Sequence, residues 1–403
     1  METYDVIIVG AGPAGGQCAR ELAAVGKKVL LAERNRDFTV NSYSSAGAPN
    51  EIMETFQLPH TLVGSYWNKF SLHSSNTSRT WEEKDIKGVI LNFEKLRTFL
   101  AKEAENASAV LKFGFFCTDY EKQIDGVIVR FKTHEGKEIQ KMKAKILVDA
   151  TGSERQVLAK HLKFKGNSFS STGIEYLIEV TPEIYKKWAN ALSIFMGQKW
   201  MPQGYSWIFP MEPNLLKVGV GRYFQNDNYV PHEKSYTHYM HILMDKCLGS
   251  KQFPILDRHG KTIIYTYDRE DLHFDDNVIA IGDSVSTINP LGFEGIRHAM
   301  FSGRIASKYI QEKLSGNRNA FENYAKELKD LLGFKWKTCE TLMKVIYQEP
   351  NDKNVDLIIE TFRGFSFKEI IDLAFHYKLM PAMKFLARYT FLTAKRKVKS
   401  LIS

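Results

Sequence analysis

Two stretches of this 403-residue chain carry residue types that chemistry needs. Near the start, VGAGPAGG sets Gly10, Gly12 and Gly15 in a GxGxxG spacing. Gly10 permits a tight turn, Gly12 lets backbone approach a pyrophosphate, and Gly15 lets a helix pack closely on a sheet. An acid follows at Glu33, about 20 residues on, which suits a ribose 2′-hydroxyl and disfavours a 2′-phosphate. Later, GDSVSTINPLGFEGIRHAM runs from Gly282 to Met300 and holds an aspartate, a glutamate, a proline and three glycines. Such a loop can hold a phosphate, surround a reaction centre or turn a corner.

These residues need elements to position them. DVIIV is a short apolar run rich in β-branched residues, as a buried parallel strand requires. The helix that starts near Pro13 then offers free N–H groups and its positive end to a pyrophosphate, and KKVLLAE supplies a second strand ending in Glu33. AKILVDATGSERQVLA predicts a third strand ending in Asp149, Ala150, Thr151 and Gly152. DDNVIAIGD predicts a fourth, ending in Gly282 and Asp283. Ligands of open parallel sheets bind beyond the carboxyl ends of the strands, so these ends are expected to converge on one long dinucleotide, FAD or NAD.

The bulk properties bound the reading. The net charge is +9, which fits an anionic membrane surface or an acidic partner as well as a scattered basic surface. Nucleic acid is not expected, because no binding motif accompanies the charge. Four cysteines without CxxC spacing argue against a disulfide framework or structural zinc and fit a cytoplasmic protein. No signal peptide is read at the N-terminus, and no apolar run reaches the roughly 18 residues of a membrane span.

Three of these segments together resemble a known group: GxGxxG…E, VDATGS and GD-x(6)-P are marks of FAD-dependent enzymes with the p-hydroxybenzoate hydroxylase-like fold. Within it, GYSWIFPMEPNLLKVGVG is similar to the YxWxFP-x(7–8)-GxG signature of the geranylgeranyl reductase family, through Tyr205, Trp207, Phe209, Pro210, Gly219 and Gly221. Glu294–Ile296, Ala299 and Ser302-Gly303 resemble that family's GEGI-xxA-xxSG. The resemblance spans about residues 1–310. It implies non-covalent FAD, reduction of carbon–carbon double bonds in an apolar isoprenoid lipid, and electrons from NAD(P)H or a small acidic carrier such as a ferredoxin. Two departures stand out. The loop after Glu33 reads SYSSAG, with Ser44 and Ser45 where the family commonly has a cysteine. Phe93 stands where an arginine usually opens a helix, and Arg97 follows a turn later.

The expected architecture is α/β, α+β overall. A Rossmann-type FAD-binding domain covers residues 1–172, with inserted strands near 60–95, and returns at 271–310. An antiparallel substrate domain covers 173–270, and a helical region with a basic tail covers 311–403. YSWIF and LLKVGVG predict two paired antiparallel strands, with Gly219 and Gly221 leaving one face flat for a ring or chain to approach. Candidate cofactor contacts are Gly10, Gly12, Pro13, Ala14, Gly15, Glu33, Arg34, Ser45, Ala46, Arg97, Asp149, Thr151, Gly152, Gly282, Asp283, Pro290, Gly292, Gly295 and Ile296. Candidate substrate walls are Tyr205, Trp207, Phe209, Gly219 and Gly221, and candidate catalytic residues are Glu294 and Phe293. Three rivals stay open: a flavin-dependent lycopene cyclase with Glu294 as proton donor, an aromatic hydroxylase or halogenase, and a non-catalytic FAD- or lipid-binding protein. YKLMPAMKFLARYTFLTAKRKVKSLIS has basic residues interleaved with apolar ones and no acid, which suits a helix lying on an anionic membrane.

Overall fold

The structure is a computed structural model that describes all residues except 41–43, 135, 137–138, 165, 225–233, 348–350 and 403. Its first sheet has a parallel core in the order Val278–Ala280, Ile139–Asp149, Thr3–Val9, Val29–Glu33 and Val110–Phe113. Val278–Ala280, Val29–Glu33 and the carboxyl halves of Thr3–Val9 and Ile139–Asp149 are buried on both faces, as parallel strands require, while the edge strand Val110–Phe113 is half-buried to exposed. The register aligns Val9 with Asp149 and Ala32, and Asp149 with Ala280. The strand ends read from the sequence therefore lie along one edge, as expected. Strands Phe115–Gln123 and Gly126–Thr133 extend this sheet through antiparallel pairing to the first half of Ile139–Asp149.

The second sheet has seven strands in the order Ile255–Thr266, Ser168–Glu179, Leu215–Phe224, Met201–Pro210, Ala191–Gly197, Lys69–His73 and Ser78–Glu82. Two of its strands, Lys69–His73 and Ser78–Glu82, come from residues 60–95; the other two strands of that stretch, Val63–Trp67 and Gly88–Leu91, pair with each other and with Gly47–Pro49 in a separate three-stranded sheet. LLKVGVG shows how sequence alternation divides the sheet's faces. Leu216, Val218 and Val220 point to one side and pack with Met240, Leu243 and Met244 of helix Tyr236–Leu248. Lys217, Gly219 and Gly221 point the other way, and Gly221 borders a deep cleft.

Helices Pro13–Ala24, Phe93–Asn106 and Ile296–Leu314 pack together beside the first sheet. A Cβ at Gly303 would lie 3.2 Å from the Ala14 carbonyl carbon and the Cys18 nitrogen, so the Ser302-Gly303 pair marks a close helix crossing. The chain after residue 315 forms helices Ala320–Tyr347, Asp352–Thr361, Phe367–Ala374 and Leu379–Ile402. They are tied to both sheets: the Tyr324 hydroxyl donates to the Ala280 carbonyl at 2.8 Å, and Asp352 accepts from the Gln198 N–H at 2.6 Å. Among the described residues no helix is long and apolar enough to cross a membrane.

Candidate active site

The cleft runs from the carboxyl edge of the parallel sheet across the exposed face of the second sheet. Its lining starts at the glycine turn. Gly10 has φ +106°, and a Cβ there would sit 2.9 Å from the Ala150 carbonyl carbon. A Cβ at Gly15 would lie 3.0 Å from that of Ala150. Both positions demand glycine for packing. Gly12 differs, because a Cβ there meets nothing within 4 Å. It leaves space at the cleft wall for a ligand. Helix Pro13–Ala24 begins at Gly12 with no side-chain cap, so its first N–H groups are available to an anion.

Glu33 and Arg97 form a buried pair at 3.1 Å, 5% and 3% exposed. Glu33 also accepts from the N–H groups of Ala11 (3.1 Å) and Asn35 (3.0 Å), and Arg97 donates to the carbonyls of Ala11 (3.2 Å) and Val40 (3.3 Å). The guanidinium lies over the rings of Phe38 and Phe93, 4.8 and 5.8 Å from their centroids. Phe93, where the family resemblance implied arginine, thus supports the arginine one turn later. Arg34 pairs with Glu154, and both border the cleft.

The remaining cleft lining includes Pro13, Ala14, Ser45, Thr151, Gly152, Gly282, Asp283, Phe293, Gly295, Ile296, Tyr205 and Trp207 from the expected set. Other expected residues stand behind it. Asp149 is fully buried and saturated by N–H and hydroxyl donors: Thr151, Ser284, Val157 and Leu158 all bond to it. It braces two strand ends and touches no open space. Gly15 serves packing, Ala46 accepts from the Leu91 N–H at 3.0 Å, and Phe209 packs toward Gly47 and Leu192. Residues 41–43 of the SYSSAG loop lie outside the described residues.

The loop Ile288–Gly292 is held by four side-chain donors, two of which, Tyr205 and Tyr223, also border the cleft. Tyr223 donates to the Pro290 carbonyl at 2.9 Å, Tyr347 to Leu291 at 3.1 Å, Tyr205 to Gly292 at 3.5 Å, and the Trp336 indole to Ile288 at 2.9 Å. Asn289 closes the turn through the N–H groups of Leu291 and Gly292 at 2.8 and 2.9 Å. Pro290 and Gly292 are therefore occupied by this framework and do not border the cleft. Phe293 does, with φ +52° and its ring centroid 4.8 Å from that of Tyr223. Gly295 caps helix Ile296–Leu314, again without a side-chain cap, so a second helix N-terminus opens at the cleft.

Glu294 is the residue that the rival cyclase reading expected to donate a proton from this loop. It points away from the cleft into a buried cluster: Arg297 grips both its oxygens at 2.8 Å, Tyr377 donates at 2.7 Å, and His298 lies at 3.2 Å. Burial alone would push its carboxyl up; the facing His298 and Arg297 more than reverse this and hold it far below the usual carboxylate range. Burial also lowers the His298 pKa, so the lasting cation at neutral pH is Arg297. A carboxylate so held has no proton to donate.

The flat floor expected from Gly219 and Gly221 exists, but part of it is filled by the protein's own ring. Trp207 pairs directly with Gly219 across the hairpin. A Cβ on Gly219 would lie 2.7 Å from the indole nitrogen and closer still to two ring carbons. The indole also reaches over Gly221 and Gly173, where a Cβ would lie 3.4 and 3.5 Å away. Its N–H donates to Glu175 at 2.7 Å. Glu175, His259, Lys261, Gly173 and Tyr223 border the cleft as well, and none was singled out from sequence. The trace they left is slight: in TGIEYLIE, Gly173 and Glu175 share the phase opposite to Ile174, Tyr176 and Ile178.

The fit to FAD is direct. The cleft offers an open glycine, two uncapped helix N-termini, an acid at a strand end and Asp283 at another, with Gly152 also open on its Cβ side. Comparison with known proteins agrees. A family model described as FAD binding domain matches residues 3–327. The digeranylgeranylglycerophospholipid reductase of Haloferax volcanii is 32% identical over 332 residues, 78% of each chain. Digeranylgeranylglycerophospholipid reductase 3 of Methanosphaera stadtmanae is 25% identical over 88% of this chain and 90% of its own. Among solved structures, a geranylgeranyl bacteriochlorophyll reductase-like protein from Thermoplasma acidophilum superposes with a TM-score of 0.82 at 19% identity, covering 96% of both chains. A flavin-dependent brominase shares the fold at a TM-score of 0.70 and 16% identity, over 98% of this chain and all of its own. The chain is an FAD-dependent oxidoreductase and belongs to the FAD-binding family that includes the digeranylgeranylglycerophospholipid reductases.

Proposed function

We propose that the protein reduces carbon–carbon double bonds of a geranylgeranyl-type membrane lipid. The observation that carries this reading is the inner cleft wall. Tyr205, Trp207, Tyr223, Phe293 and Ile263 give it a largely apolar and aromatic surface beside the dinucleotide end. Such a wall suits a long hydrocarbon chain and excludes water from it. The reductase names of the relatives support the same substrate class.

When bound and reduced, FAD supplies a hydride to the substrate. The residues of this chain would hold it as follows. Gly12, Pro13 and Ala14 face the pyrophosphate, Glu33 with Arg97 the ribose side, and Asp283 the hydroxylated chain. Gly295 and Ile296 set helix N–H groups where negative charge on the reduced ring needs support. The basic surface favours electrons from an acidic carrier protein, with NAD(P)H as the other donor to test. The last helix carries Met380, Met383, Phe391 and Val398 exposed, among Lys384, Arg388, Lys395, Arg396 and Lys397. We propose that this stripe rests on an anionic lipid surface on the cytoplasmic side.

The test is anaerobic reduction of the purified flavoprotein, addition of geranylgeranyl glycerophospholipid in mixed micelles, and mass analysis of the lipid. A gain of two hydrogens per bond is expected. Unchanged mass with new rings would replace the reading with a cyclase, and added oxygen on admitting air with a monooxygenase.

A further inference from the structure

With no cysteine in the loop after Glu33 and with Glu294 locked in an ion pair, reduction needs a proton from elsewhere. We propose that Glu175 is the proton donor to the substrate chain and that His259 and Asp257 reload it from solvent. The inference rests on the reductase reading above.

The geometry is set by strand register. Glu175 pairs with His259 on one side and with Gly219 on the other, and Gly219 pairs with Trp207. All four therefore share the face that looks into the cleft. The Glu175 side chain is 4% exposed. Its Oε2 is fixed by the Trp207 indole N–H at 2.7 Å, whereas Oε1 has no hydrogen-bond partner among the described residues. The His259 Nε2 stands 3.4 Å from that Oε1, and its Nδ1 stands 3.5 Å from Asp257. Exposure rises along this line, from 4% at Glu175 to 14% at His259 and 31% at Asp257. A chain of exchangeable groups thus leads from water to a carboxyl at the cleft wall, beside the indole on which the lipid would lie.

The step balances. The π pair of the double bond takes the proton from Oε1; the O–H bond breaks and a C–H bond forms. The adjacent carbon receives a hydride, two electrons and a proton, from reduced FAD, so the alkene gains two hydrogens and the cofactor is oxidised. Glu175 regains a proton from His259, which takes one from solvent through Asp257. The other charged or titratable groups facing this line are Lys217 and Tyr205, both of which feel the Glu175 charge, and Lys261 in the next row of the same face. Lys217 is engaged with the Ser44 carbonyl at 2.6 Å. Burial raises the Tyr205 pKa, which makes its phenol a poor relay member.

Two measurements on the full-length flavoprotein test the proposal. The first is E175Q, whose amide oxygen still accepts the Trp207 N–H. In single-turnover reduction of geranylgeranyl glycerophospholipid, its rate should fall by about 10²–10⁴-fold with lipid affinity unchanged. The solvent deuterium isotope effect on the remaining rate should differ from that of wild type. H259N should fall less and recover with added imidazole. Wild-type rate and isotope effect in E175Q would overturn the proposal. The second needs no turnover: infrared difference spectra taken as a function of pH should show a protonated carboxyl that disappears in E175Q. Its absence in wild type also overturns the proposal. If wild type reduces no prenyl lipid, the substrate reading fails, and the infrared titration still decides whether Glu175 carries a proton.

Discussion

Two glycines in one strand, two residues apart, should respond in opposite ways to the same small change. In G219A the added methyl would lie 2.7 Å from the Trp207 indole nitrogen and nearer still to two ring carbons, in a buried sheet with no flexible side chain to yield. The indole must move. Overpacking of this kind costs about 1–3 kcal/mol. Displacement of the ring also breaks the 2.7 Å bond to Glu175, and such a hydrogen bond contributes about 0.5–1.5 kcal/mol. The two effects share one movement and do not simply add, so a loss of about 2–4 kcal/mol is expected. In G221A the nearest atom would be 3.4 Å away, an ordinary contact, and the methyl points toward the cleft. Its fold should stay within about 1 kcal/mol of wild type while lipid binding weakens. Urea midpoints measured with and without FAD, together with lipid affinity, separate the two. Equal stability of G219A and wild type would refute the placement of the indole on Gly219 and the floor built from it.

Four further outcomes follow from the geometry. G12A has an ordinary φ of −79° and an unobstructed Cβ; it should melt like wild type without cofactor yet lose FAD affinity by about tenfold or more, some 1.4 kcal/mol, in a flavin fluorescence titration. R97M leaves Glu33 buried and unpaired and should cost about 3–5 kcal/mol in chemical denaturation, with poor flavin content. E294Q should cost a similar amount at neutral pH. The Glu294 carboxyl is depressed in the fold, so its contribution is present above the unfolded value of about 4.3 and is lost as pH falls toward the folded one; the gap between wild type and E294Q should stay flat at neutral pH and narrow in acid. Replacing Lys395, Arg396 and Lys397 by Gln should weaken binding to anionic vesicles by about 3 kcal/mol, roughly 100-fold, and leave binding to neutral vesicles unchanged in co-sedimentation.

Much of the dinucleotide end was legible in the sequence because its logic is local. A strand, a glycine turn and a helix lie within a few residues, and each glycine's role depends on neighbours inside that unit. Asp149 misled for the converse reason. It ends a strand where a ligand belongs, but its donors include backbone N–H groups eight and nine residues downstream and Ser284 from a distant strand end. Glu294 carried a readable warning. Arg297 and His298 follow at i+3 and i+4, the spacing at which helical neighbours meet, and they draw the carboxylate off the cleft. Glu175 and His259 stay hidden because their meeting depends on the register of two strands separated by about 75 residues of chain, which no local pattern encodes. Trp207 lay between these cases: the hairpin was visible, but its register decides whether the ring covers Gly219 or stands beside it.

The carbonyls of Ile288, Pro290, Leu291 and Gly292 are tethered by Trp336, Tyr223, Tyr347 and Tyr205, which come from the second sheet and the long helix Ala320–Tyr347. The match to the FAD-binding family ends at residue 327, before Trp336 and Tyr347 enter. A boundary drawn by sequence similarity therefore does not mark a unit able to stand alone. A fragment cut there would keep every glycine of the dinucleotide fingerprint, yet lose two of the anchors that shape the turn beside it. In this molecule the recognisable part and the cooperative part have different edges.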